Sequence, residues 1–326
     1  MVSETFPRKD PPMPTRKVHL CGELVDEPDA KISIFDSAVT LGDTVTESTR
    51  TFAHRPFKLP QHLLRLYDSL KVARIDPGLS TGEMVEATNQ LLEANLPLLG
   101  EHEDCWIVHN ISRGLSVHGP DPSQRSAATV IIYTQPLDLR GWARFYEHGC
   151  HAVTAMSRVI PTQSLDARIK NRSRMAYTLA EMEVKLVDPE GQGVILDVDG
   201  RVAENKGGNV FIVRGGELAT PDTTNCLAGI SRETVFELAG QMGIPCRETT
   251  LAPYDLYTAS ELFFTSTPYC IMPATRFNGL PVGDGEVGPV TRRLLALWSE
   301  QTGVDIVRQA LNQLDQSDDQ RIPPLA

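Results

Sequence analysis

Asp166-Ala-Arg-Ile-Lys170-Asn-Arg-Ser-Arg174 is the stretch from which the rest of the chain can be ordered. A carboxylate follows at Glu204, just before the strand-like Asn209-Val-Phe-Ile-Val213. Leu227-Ala-Gly-Ile-Ser231 then opens a helix-like run, and Thr265-Ser-Thr267 closes the apolar run Glu261-Leu-Phe-Phe264. A lysine flanked by Arg168, Arg172 and Arg174 has its ammonium form disfavoured by like charge, which favours the free amine that attacks carbonyls. A helix-opening Gly-Ile-Ser and a Thr-rich turn both offer backbone N–H groups and hydroxyls to an anion such as phosphate.

Taken singly, each part is ordinary. A lysine in an Arg-rich loop is usually solvated surface, a glutamate beyond a hairpin is usually exposed, and Gly-Ile-Ser before a helix is usually a plain cap. Order and spacing must carry the inference. An amine, a carboxylate and a phosphate cradle are together what pyridoxal phosphate requires.

Further blocks extend this pattern. They are Ile32-Ser-Ile-Phe-Asp-Ser-Ala-Val-Thr-Leu-Gly-Asp-Thr-Val-Thr-Glu-Ser-Thr-Arg50 and Pro56-Phe-Lys-Leu-Pro-Gln-His62-Leu-Leu-Arg65-Leu, then Glu204 to Phe211, Gly229-Ile-Ser-Arg232 and Phe264 to Pro273. With these blocks in this order, over roughly residues 18 to 305, the chain resembles the fold-type IV pyridoxal-phosphate enzymes. That class holds branched-chain aminotransferases, D-amino-acid aminotransferases, (R)-selective amine transaminases and aminodeoxychorismate lyase. The resemblance implies an α+β fold of two domains, a smaller α/β N-terminal one and a larger β-rich C-terminal one, with the cofactor between them.

The same resemblance assigns roles position by position. Lys170 looks like the Schiff-base lysine, whose amine also shuttles the substrate proton. Glu204 matches the carboxylate that keeps the pyridine nitrogen protonated, Arg65 the arginine at the phosphate, and Ile230, Ser231 and Thr267 the rest of the phosphate cup. Ser231 stands where the family usually has threonine, which keeps the hydroxyl. Thr46, Arg113, His118, Thr267 and Pro268 are the expected substrate contacts, and no metal is expected. The implied reaction moves an amino group from a branched-chain-like amino acid to a 2-oxo acid in a homodimer. D-amino-acid or (R)-amine transamination is the alternative, and a lyase of the aminodeoxychorismate type a more distant one.

Departures bear on the substrate. Branched-chain enzymes usually place a tyrosine five positions after the lysine, where this chain has Met175. Glu47 keeps the branched-chain glutamate, whereas Thr46 replaces a common aromatic. Ser112-Arg-Gly-Leu-Ser-Val-His118 offers Arg113 and His118 in the manner of D-amino-acid enzymes, Arg174 four positions after the lysine looks more like the lyase and D-amino-acid branches, and Ile271 to Val282 and Gly288 to Thr291 look like the (R)-amine branch.

Composition fits an enzyme. The 326 residues suit two domains with cores of their own, and 41% hydrophobic with 22% charged residues excludes a disordered or fibrous chain. A net charge of −11 disfavours nonspecific nucleic-acid binding. No apolar stretch is long enough to span a bilayer, and the start lacks the apolar core of a signal peptide. Six scattered cysteines without Cys-x-x-Cys or zinc-ligand spacing predict a reducing, cytoplasmic setting.

The expected organisation is a Pro-rich arm over 1–16, a small domain over 17–135, a linker over 136–146, a large domain over 147–312 and a polar tail over 313–326. Val18 to Val25 and Lys31 to Phe35 read as paired strands. Leu63, Leu66, Leu70 and Val72 read as one apolar helix face. Ser80-Thr-Gly-Glu83 reads as a capping box, and Asp199-Gly200 as a hairpin turn.

Overall fold

The computed structural model describes residues 15–115 and 126–314, so the arm up to residue 14, His118 and the tail from 315 lie outside the described residues. In chain order the first unit contains β1 (Lys17–Leu20), β2 (Glu23–Asp26), α1 (Ser37–Thr40), β3 (Thr44–Phe52), β4 (Arg55–Pro56), α2 (Leu59–Ala73), α3 (Thr81–Asn95), β5 (Cys105–Ser112) and β6 (Thr129–Pro136). Its strands form one antiparallel sheet in the order β2-β1-β6-β5-β3-β4. Leu63, Leu66 and Leu70 of α2 and Met84, Leu91 and Leu92 of α3 pack with Val45, Ile107, Ile111 and Ile132 of the sheet. Ser80 and Glu83 do form the reciprocal capping box of α3.

Two local expectations are overturned here. Val72 is exposed, because two residues beyond Leu70 a helix has turned about 200° away from the buried face. The strand pair lies within 17–26, where the hairpin turn carries Cys21 and Gly22 at positive φ. Lys31–Phe35 is not a strand, and it leaves Ile34 and Phe35 exposed.

The second unit begins with two single-turn helices, α4 (Arg140–Ala143) and α5 (Phe145–His148). The expected linker is thus partly helical, and Leu137, Leu139, Ala143 and Tyr146 are buried in the larger core. Then come β7 (Cys150–Arg158), α6 (Met175–Val187), β8 (Gln192–Leu196), β9 (Val202–Glu204), β10 (Asn209–Arg214), β11 (Glu217–Thr220), α7 (Ile230–Met242), β12 (Cys246–Glu248), α8 (Pro253–Tyr257), β13 (Glu261–Ser266), β14 (Cys270–Phe277), β15 (Leu280–Pro281), α9 (Pro289–Thr302) and α10 (Ile306–Asn312). They build a mixed nine-stranded sheet in the order β12-β11-β10-β13-β14-β7-β8-β9, with β15 on β14. The strands β10, β13 and β14 are nearly continuous apolar runs because both faces are covered, and Phe211 and Phe263 stack at 5.2 Å between neighbouring strands. Helices beside a large mixed sheet and an antiparallel sheet make an α+β fold.

β3 belongs to both units. Val45 packs in the first core and Phe52 in the second, so the strand is buried on both faces along its length. That double burial puts the next segment at a seam.

Candidate active site

Lys170 is fixed by backbone contacts from the first unit. The Thr46 N–H donates to the Lys170 carbonyl at 2.8 Å, and the Arg172 N–H donates to the Thr44 carbonyl at 2.8 Å. The Lys170 N–H donates to Ser69 Oγ of α2 at 3.2 Å, and Ser173 Oγ to the Gly42 carbonyl at 2.8 Å. Residues far apart in sequence are thereby zipped to one edge of β3, and Lys170 lines a cleft of about 780 Å³.

Burial lowers the Lys170 ammonium to a pKa of about 8, with Arg65 and Arg174 adding to the shift and Glu47 and Glu204 opposing it. This corrects the expectation that flanking arginines are the cause. Desolvation leads, and of the flanking arginines Arg174 stands among the main causes. Arg168 is turned outward onto Asp166 at 2.7 Å.

Glu204 ends β9 and faces the same cleft. Burial raises its pKa, opposed by the Tyr177 hydroxyl, the Leu227 N–H, Arg174 and Lys170. Tyr177 donates to Glu204 Oε1, and the Leu227 N–H to Oε2 at 3.2 Å. Arg174 lies over the Tyr177 ring, its guanidinium carbon 3.7 Å from the centroid, and donates to the Lys206 carbonyl. The ammonium of Lys206 pairs with Glu181.

Ile230 and Ser231 at the start of α7 line the same cleft, together with Thr267 and Arg65. The N-cap of α7 is Gly229, and no side chain caps that end, so its first-turn N–H groups are free to meet an anion. A side chain at Gly229 would collide with Asn209 Oδ1 at 2.1 Å. A residue without a side chain is therefore needed for the start of α7 to sit against Asn209.

Arg65 is also committed elsewhere. Its Nε and one Nη donate to Glu47 at 2.8 and 2.7 Å, and the other Nη donates to the Ala228 carbonyl at 2.8 Å. Three of its five N–H donors are used, which leaves two for a ligand. His62, one helical turn earlier, holds Glu47 through Nδ1 at 2.9 Å. The two partners keep the Glu47 carboxyl well below its usual range despite complete burial, while burial lowers His62.

Of the expected substrate contacts, Thr46, Thr267 and Pro268 line the cleft. Arg113 does not. It grips Asp43 at 2.6 Å and donates to the Ala73 and Arg74 carbonyls, a structural pin outside the cleft. His118 lies outside the described residues. Ile271–Val282 and Gly288–Thr291 form the β14–β15 hairpin and the start of α9, away from the cleft lining, so their likeness to the (R)-amine branch is a likeness of scaffold. Met175 is exposed, and the nearby aromatic hydroxyl in the cleft belongs to Tyr177.

Sequence reasoning missed the Glu47 network and Tyr177. His62 and Arg65 are three apart on α2 and therefore share a face, a signal that could have paired them with one carboxylate. Tyr177 gave no such signal, because only the start of α6 at Met175 sets which way it points. Among the described residues no cluster of His, Cys, Asp and Glu could hold a metal ion, and no helix is long and apolar enough to cross a membrane.

Known proteins resemble this chain in sequence and fold. The family model for amino-transferase class IV matches residues 44–277. A protein of Methanocaldococcus jannaschii, assigned by name to the branched-chain-amino-acid aminotransferases, is 34% identical over 280 residues, 85% of this chain and 93% of its own. The branched-chain-amino-acid aminotransferase of Escherichia coli K12 is 30% identical over 279 residues, 84% of this chain and 88% of its own. The solved structure of the branched-chain amino acid aminotransferase from Thermoproteus uzoniensis with norvaline superimposes with a TM-score of 0.76 at 27% identity, covering 92% of this chain and 98% of that one. Another solved branched-chain amino acid aminotransferase, holding pyridoxamine 5'-phosphate, gives 0.77 at 26% identity, covering 88% and 94%.

Proposed function

Because the chain belongs to the class IV aminotransferases, a family of pyridoxal-phosphate-dependent transaminases, we propose that it moves the amino group of a branched-chain-like amino acid to a 2-oxo acid, using Lys170 as its reactive amine. The observation that carries this reading is one cleft holding a buried lysine with a pKa of about 8, a buried carboxylate and an uncapped helix N-terminus. Those donors fit the cofactor. Ile230, Ser231, Thr267 and the two spare N–H groups of Arg65 would hold the phosphate, and Glu204 the ring nitrogen. When bound there, pyridoxal phosphate supplies an aldehyde and an electron-withdrawing ring.

The residues of the chain do the rest. With a pKa of about 8, Lys170 Nζ is about one-tenth free amine at pH 7, enough to attack a carbonyl and then to accept and return a proton. Glu204 Oε2 and Oε1 each keep a lone pair beyond their bonds to Leu227 and Tyr177, so the carboxylate can hold a proton on a partner nitrogen. Trp106, Trp142 and Tyr269 line the cleft and present apolar surface to a substrate side chain, which supports an apolar donor. The D-amino-acid alternative rested on Arg113, His118 and Arg174; of these Arg113 is spent on Asp43, and Arg174 lines the cleft.

A homodimer belongs to this proposal. Met175, Leu179, Met182 and Leu186 recur along the outer face of α6 at a spacing of three and four, all exposed in the isolated chain. Sedimentation should therefore give a mass near twice 35.9 kDa.

The deciding experiment is a half-reaction screen. L-leucine, L-valine, D-amino acids and (R)-amines are added separately to the pyridoxal form while its absorption is followed. Conversion by the L-branched-chain donors supports the reading, and conversion confined to amines without a carboxylate refutes it. Pyruvate released beyond one equivalent per active site, with no 2-oxo acid acceptor, would instead mark a lyase.

A further inference from the structure

The turn carrying Thr267 and Pro268 does not hold its shape alone. Pro268 has no N–H to give, and Cys270 at its end sits in the left-handed region at φ +59°, which a non-glycine residue occupies only when its surroundings insist. Two carbonyls of the turn are held from outside, Tyr269 by the Tyr146 hydroxyl at 2.7 Å and Pro268 by Arg50 at 2.8 Å. Arg50 is almost fully buried and lies outside the cleft lining. Its other Nη donates to Gln309 of α10 at 2.7 Å and pairs with Asp104 at 3.7 Å, and Gln309 donates in turn to Asp104 at 2.7 Å. The Thr51 hydroxyl at 2.6 Å and the His54 N–H at 3.1 Å complete the carboxylate's shell.

We propose that Arg50, Asp104 and Gln309 form a clasp by which the first unit and the C-terminal helix set the position of the Thr267–Pro268 turn, making Arg50 and Gln309 positioning residues for the cofactor end of the cleft. This rests on the reading of the cleft given above. The physical reason is closure. A buried guanidinium needs its donors satisfied, and here the partners of its two Nη atoms lie on three separate segments, so the turn, α10 and the first unit are tied by one side chain. A loosened turn would carry Thr267 away from the phosphate position without touching Lys170 or Glu204.

The test uses the full chain freed of cofactor and titrated with pyridoxal phosphate, so that affinity is read without turnover. Variants are Arg50→Met, Gln309→Met, Thr267→Ala and the two doubles with Thr267→Ala. Each single change is expected to weaken binding about tenfold, near the worth of one hydrogen bond to a charged group. Each double should fall well short of the product, because both changes act on the same contact. Lower thermal stability with unchanged affinity, or strictly multiplicative doubles, would overturn the clasp. Gln309→Met carries the same test should Arg50→Met fail to fold. If Thr267→Ala itself leaves affinity unchanged, the reading of the phosphate cup is refuted and the clasp with it, a result separable from failure of the clasp alone.

Discussion

Glu47→Gln is expected to be among the most destabilising single changes in this chain. Glu47 is fully buried, and its two oxygens accept from Arg65 at 2.8 and 2.7 Å, His62 at 2.9 Å and the Ser48 N–H at 2.8 Å. Glutamine keeps the volume but removes the charge and replaces one acceptor by a donor. Arg65, whose side chain is 12% exposed, is then left without its counter-ion. Breaking a buried pair from one side costs about 3–5 kcal/mol, a large share of the roughly 5–15 kcal/mol that holds a domain folded. A second effect follows in the cleft. The Glu47 field opposes the fall in the Lys170 pKa, so its loss should move that pKa below about 8. Urea unfolding of the cofactor-free protein at neutral pH measures the first effect, and the pH dependence of lysine labelling the second. Replacing both partners, Glu47→Leu with Arg65→Met, should cost less than the glutamine change alone, because no buried charge is then stranded. A loss below about 1 kcal/mol together with an unmoved Lys170 titration would refute the network as described.

Other outcomes can be checked alongside. Borohydride reduction of the pyridoxal form should fix the cofactor to the peptide containing Lys170, and a label on Lys185 or Lys206 would remove that lysine from its proposed role. Glu204→Gln should retain cofactor yet slow proton abstraction by roughly two orders of magnitude, the scale expected when an electrostatic stabiliser is lost. His109 is held neutral by burial, with its pKa lowered from 6.5 to about 4. Below pH 6.5 the unfolded chain takes up that proton and the folded one does not, so stability is undiminished above pH 6.5 and is lost as pH falls toward 4. His109→Gln should flatten the unfolding free energy over that window, and an unchanged slope would show that His109 titrates normally.

The arrangement of the cleft was partly legible because its chemistry lies on short, self-defining segments. Gly229-Ile-Ser231 announces a helix start, Thr265-Ser-Thr267 the end of an apolar strand, and Lys170 a basic loop. The reason for the lysine's lowered pKa was not legible. Arg168 and Arg172 are its neighbours in sequence, yet a flexible arginine follows its nearest carboxylate, and Asp166 takes Arg168 away. Burial comes first in tuning the amine, and the strongest charges on it are Glu47 and Arg65, on segments far upstream. Arg113 failed for a like reason, since Asp43, brought against it by the pairing of β3 with β5, captures the guanidinium before any substrate could.

By itself, then, the sequence determined the identity and order of the candidate site groups, the helices α2, α3 and α7, and the apolar strands of the larger sheet. These follow from local rules of spacing, capping and burial that act within a few residues. Tertiary structure alone decided which charges meet, that β3 serves two cores, and that a turn bearing Thr267 leans on Arg50 and the last helix. Contacts between distant segments depend on how sheets and helices pack, and electrostatic strength depends on the water that this packing removes, so neither is written in any one stretch of the chain.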